Sequence, residues 1–209
     1  MRSFIRLAGI FNIVFGSIFL FYWIIYRITL PISELKTSIV PLVSDSDWTW
    51  VNALGVCSTL FGVVGLTGLH YMQIDIKRQF GTLGFILAVF GLILLGGQLL
   101  WETFVWKILV DSDSNLLLFD GPLYTNKPLF GVMITGGLFF SLGYLFLGIA
   151  CRLVDGLPTF GVQMFIVGAP LFGLGPLFGP LQQIIGIIGI ALFAVGIIWT
   201  GYRMVKYPK

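Results

Sequence analysis

Glu102 is the residue most able to do chemistry here, because it is the one acid inside a long apolar run. A carboxylate is costly in lipid, so an acid within a span is a functional hypothesis by default. Gln98 lies one helical turn earlier, which places both side chains on the same helix face. Asn52 near the start of the second apolar run, and Gln182 and Gln183 near the start of the last, fall at a similar depth. Arg27 closes the first run on that side as a counter-charge. These six residues define a candidate outward-facing pocket for a small solute or ion. The plainer alternative leaves Glu102 within a turn or two of the interface, reaching water or Lys107.

Other polar positions carry less. His70 is the single histidine and stands at the inner end of the second run, where imidazole can sense pH or do nothing. No His/Cys cluster has metal-ligand spacing, and one histidine cannot hold a haem from both faces. Cys57 and Cys151 fall in apolar stretches at different depths, too far apart to pair, and read as small packing residues. Asp111-Ser112-Asp113-Ser114-Asn115 opens like a calcium loop, but Leu116 replaces the needed glycine and Pro122 the bidentate glutamate. That segment, like Ser44-Asp45-Ser46-Asp47, reads as a solvated turn. Phosphate-loop, Gly-x-Ser-x-Gly and His-Glu-x-x-His patterns are missing from the sequence. Neither an enzyme, a metal nor a cofactor is expected.

The elements that must position these residues are membrane helices. Of 209 residues, 57% are hydrophobic and 10% charged, whereas soluble domains carry about 25% charged residues. Lipid is the solvent that tolerates such a surface. Runs of about 20 apolar residues span the hydrocarbon core, which gives one all-α membrane domain over 1–209 with six spans near 7–26, 51–71, 80–106, 129–151, 159–175 and 181–201. The first run is too long for a signal-peptide core and is read as retained. Pro170, Pro176 and Pro180 interrupt the final apolar stretch, and proline stops or kinks a helix. Five spans with a re-entrant segment at 159–180 is the alternative. Pro-Leu-Phe-Gly recurs at 128–131, 170–173 and 176–179, without an inverted repeat of the transporter type.

Charge sets the orientation. Arg2, Arg6, Lys77, Arg78, Arg152, Arg203, Lys206 and Lys209 fall on one side, against Arg27, Lys36, Lys107 and Lys127 on the other. Lys and Arg favour the cytoplasm, so both termini are expected inside. The acids agree: Glu34, Asp45, Asp47, Asp111, Asp113 and Asp120 face out, Asp75 and Asp155 in. No basic block or stripe supports nucleic-acid binding. Small residues four apart, Ser58 with Gly62 and Gly137 with Ser141, favour close helix packing. The expected partners are therefore the lipid bilayer and a second copy or a larger membrane complex. The expected setting is a prokaryotic plasma membrane. A non-catalytic packing role is preferred, with a small-solute or ion carrier as the alternative, because transport needs more polar groups at mid-membrane than this sequence supplies.

Overall fold

The computed structural model describes residues 2–32, 37–74 and 78–207. Glu34, Lys36, Asp75, Lys77 and Lys209, which enter the charge count, lie outside that range, as do the side chains of Arg78, Pro176 and Pro180. The chain is all-helical: α1 Arg2–Thr29, α2 Val40–Ser44, α3 Trp48–Gln73, α4 Arg78–Asp113, α5 Pro122–Thr125, α6 Lys127–Cys151, α7 Thr159–Gly173 and α8 Gln182–Lys206. Five of these, α1, α3, α4, α6 and α8, are long and apolar enough to cross a membrane.

Helix α7 has 15 residues, about 22 Å at 1.5 Å per residue, against a hydrocarbon core of about 30 Å. It falls short of the length the six-span expectation requires. Pro170 lies inside it rather than ending it, and the helix stops three residues later. A 3₁₀ turn over Gly175–Leu181 then leads into α8. The third span also differs from expectation. Helix α4 has 36 residues, about 54 Å, and runs past Trp106 to Asp113.

The six longer helices close a ring in the order α1, α3, α4, α6, α7, α8 and back to α1. Every one of them contributes to a single apolar core. Phe193 is its hub, with its ring centroid 5.7 Å from those of Phe15 and Phe19, 5.0 Å from Phe140 and 4.8 Å from Tyr144. All five side chains are at most 1% exposed. The interior of the ring is thus filled by aromatic rings rather than open.

Glycine lets the ring close this tightly. A Cβ on Gly91 of α4 would sit 2.3 Å from the Phe140 backbone nitrogen of α6, and one on Gly168 of α7 would sit 2.3 Å from that of Phe193. Backbone therefore meets backbone at both seams, as in other close membrane-helix pairs. The small residues read as packing faces are used within the chain: Gly62 abuts Phe15, Gly137 abuts the Gly173 carbonyl, and the Ser141 hydroxyl contacts the Ala169 carbonyl. Cys57 corrects its expectation, being exposed on the outside of α3, while Cys151 is buried; both are free thiols.

Candidate functional site: the polar and aromatic distal end

The start of α1 and the end of α8 meet at one end of the bundle, where Gly9 and Gly201 touch. The opposite, distal end holds Glu102. It carries a second apolar cluster that includes Tyr22, Leu42, Val43, Trp48, Trp106 and Leu117. The long α4 makes this possible, because its last turns continue past the other helices and offer α2 a surface. Two strand-like segments close over it, with the Ile39 amide donating to the Leu117 carbonyl at 3.3 Å and the Phe119 amide to the Thr37 carbonyl at 2.9 Å.

One chain of hydrogen bonds crosses three helices. The Tyr22 hydroxyl donates to Asn52 Oδ1 at 3.1 Å, and Asn52 Nδ2 donates to the Trp48 carbonyl at 2.9 Å. Trp48 Nε1 donates to the Glu102 backbone carbonyl at 3.1 Å, and Gln98 Nε2 donates to Glu102 Oε1 at 2.8 Å. Aromatic rings surround this path. Trp48 and Trp106 stack with centroids 6.1 Å apart and planes at 12°, and Tyr124 lies 6.1 Å from Trp106. Burial pushes the Tyr124 phenol on α5 above its ordinary range.

The six expected pocket residues do not all converge. Asn52, Gln98 and Glu102 join one network. Arg27 forms no ion pair with Glu102, and its Nε is buried without a partner. Lys107 does not reach Glu102 either: its Nζ donates to the carbonyls of Val43 and Ser44 at 3.2 and 3.3 Å, capping the last turn of α2, where a cation complements the helix dipole. Gln182 and Gln183 are exposed at the start of α8, with no hydrogen bond to the group. A cavity beside Gln98, lined also by Leu95, Gly136, Gly137, Phe140, Phe172 and Gly173, offers about 20 Å³ to water centres. That accommodates one water, not a solute.

Elsewhere the polar groups are structural. Asp113 Oδ1 accepts from the Asn115 amide as a turn cap, and Asp45 Oδ1 does the same for Asp47. His70 stacks on Phe85 at 4.4 Å, with Nδ1 2.8 Å from Gln73 Nε2. Among the described residues no group of three or more His, Cys, Asp or Glu is placed to hold a metal.

Sequence reasoning missed Asn12, which is 1% exposed and ties α1 to α3 through a 3.0 Å bond to the Gly65 carbonyl. Its signal was available as a lone amide midway along an apolar run. The aromatic partners Tyr22, Trp48, Trp106 and Tyr124 were also missed as site residues, because an interfacial belt already accounts for such rings.

The fold and the distal cluster define a helical bundle whose long helices are suited to a membrane. No family model matches the chain, and neither does any curated protein or solved structure.

Proposed function

We propose that this chain is a multi-pass integral membrane protein, a non-catalytic packing component that assembles with itself or with a larger membrane complex. In this reading α7 and the following 3₁₀ turn make the sixth crossing, both termini are cytoplasmic, and the membrane is a prokaryotic plasma membrane. The observation that carries the proposal is the filled core: Phe15, Phe19, Phe140, Tyr144 and Phe193 occupy the ring interior where a conduit would run. Supporting it, Gly97 on α4, Gly131 on α6 and Gly186 on α8 have open space around them, where another helix can approach.

The carrier reading is favoured by one observation, the Gln98–Glu102 pair in a span, and opposed by the size of the cavity beside it. Reconstitution into liposomes separates the two. Tight vesicles, with the protein in a defined oligomer or complex that Glu102→Gln leaves intact, support the packing role. Solute or ion flux that Glu102→Gln abolishes refutes it.

A further inference from the structure

We propose that the bundle holds one phospholipid of the distal leaflet, its phosphate on Arg27 and one acyl chain seated in a notch above the short helix α7. This rests on the reading of the chain as a membrane protein. Helix α7 stops at Gly173, while its two neighbours in the ring run on. The α6 face that meets Gly173 at Gly137 continues outward through Ile134 and Phe130, three and seven residues earlier on the same side. These two are 39% and 54% exposed. The α8 face that meets Leu171 and Phe172 at Gly189 continues in the same way through Gly186 to exposed Gln182, and a Cβ on Gly186 would find nothing within 4 Å. Both faces extend about 10 Å past their contact with α7.

The width of the notch favours a lipid chain over another helix. The 3₁₀ turn Gly175–Leu181 packs on α8 and on the end of α7, so it narrows the notch and leaves the α6 wall uncovered. A helix needs about 10 Å of breadth, which is the width that α7 vacates, and does not fit beside the turn. An extended hydrocarbon chain does. At Gly186 the open space is taken by lipid in this account, leaving Gly97 and Gly131 for a partner helix.

Charge identifies the headgroup. Phe172 forms the floor of the notch, with its ring 5.5 Å from that of Trp23 on α1. Arg27 stands one turn beyond Trp23 on the same face of α1, about 6 Å further toward the distal end. Each carries a buried donor without a partner, Trp23 Nε1 and Arg27 Nε. Buried donors are ordinarily paired, and a half-buried cation without a counter-charge is costly. Glu102 does not supply one, since it is bonded by Gln98 and forms no ion pair with Arg27. Neither 127–136 on the α6 wall nor 174–188 on the opposite wall contains an acid. The matching acceptor is therefore an anion from outside the chain. Guanidinium binds phosphate oxygens through charge-assisted hydrogen bonds, and in a membrane that phosphate arrives joined to the acyl chain that fits the notch.

The test is native mass spectrometry of the full chain, extracted and washed in detergent and then titrated with dioleoyl phosphatidylglycerol. Recovery in the soluble fraction without detergent would overturn the membrane reading and the site with it. Failure of the site alone is an extracted, folded protein that takes up no lipid. Wild type should take up one phosphatidylglycerol per chain at saturation and gain thermal stability, since a ligand bound only by the folded state stabilises it. Arg27→Gln should weaken uptake roughly tenfold, the worth of one charge-assisted hydrogen bond. Gly186→Phe, which fills the notch, should abolish uptake. Dioleoyl glycerol, which lacks the phosphate, should bind the wild type as weakly as phosphatidylglycerol binds Arg27→Gln. Equal uptake by all three proteins overturns the proposal, as does the same stabilisation by inorganic phosphate alone. A second copy or another protein that is lost with Gly186→Phe would put a helix in the notch and overturn it too.

Discussion

Trp48 does more than line an interface. Its indole N–H bonds the Glu102 backbone carbonyl on the neighbouring helix, while its own carbonyl receives Asn52. Trp48→Phe keeps an aromatic ring but removes the donor and part of a fully buried side chain, so it should lower stability by at least about 1 kcal/mol and alter the emission of the remaining tryptophans. Unchanged thermal unfolding would show that the bond adds nothing. Phe193 lies at the other extreme, a hub without polar atoms. Phe193→Ala should cost about 3–5 kcal/mol, measured by denaturant titration in detergent, because four rings lose their common contact and little can move in to replace it. At this scale the sequence was partly legible. The Gln98–Glu102 pair follows from one-turn spacing alone, and it is present. The fates of Arg27 and Lys107 could not be read that way. Lys107 is captured by the carbonyl end of a five-residue helix, Val40–Ser44, whose existence depends on packing against α4 rather than on local pattern.

Helix seams set the order of the elements. At the α4–α6 seam a side chain on Gly91 must enter space held by the Phe139–Phe140 backbone, and backbone cannot rotate aside. Gly91→Leu should therefore separate these helices and leave folded protein in low yield, whereas Gly97→Leu, where nothing lies within 4 Å, should be tolerated as far as folding is concerned. Equal yields of folded protein by size-exclusion chromatography would contradict the seam. The apolar runs made the long helices legible, and the prolines correctly marked a break between α7 and α8. The exact end did not follow, because Pro170 sits in the last turns of α7, whose remaining bonds hold the helix to Gly173. The extension of α4 past Trp106 was illegible for a different reason. Lys107 and Asp111 end the apolar run, but helix formation outside lipid does not require apolar residues, and packing of α2 and the 3₁₀ turn Ser114–Leu117 against it favours continuation.

For the whole molecule, ring order and the filled interior are properties of tertiary packing that periodicity cannot supply, since helices this apolar have no distinct inner face to read. Orientation, by contrast, rests on charge. With both termini inside, a cysteine introduced at Ser112 in a Cys57→Ser background should react with a membrane-impermeant maleimide in intact cells, and one at Arg152 only after lysis; the reverse pattern would invert the topology. The aromatic plug of Phe15, Phe19, Phe140, Tyr144 and Phe193 fills the bundle, so the most direct measurement is ion and solute leak across liposomes containing the purified protein. Wild-type vesicles should be as tight as protein-free ones under sodium, potassium and proton gradients. Saturable flux through the wild type, abolished by Glu102→Gln, would contradict a closed interior.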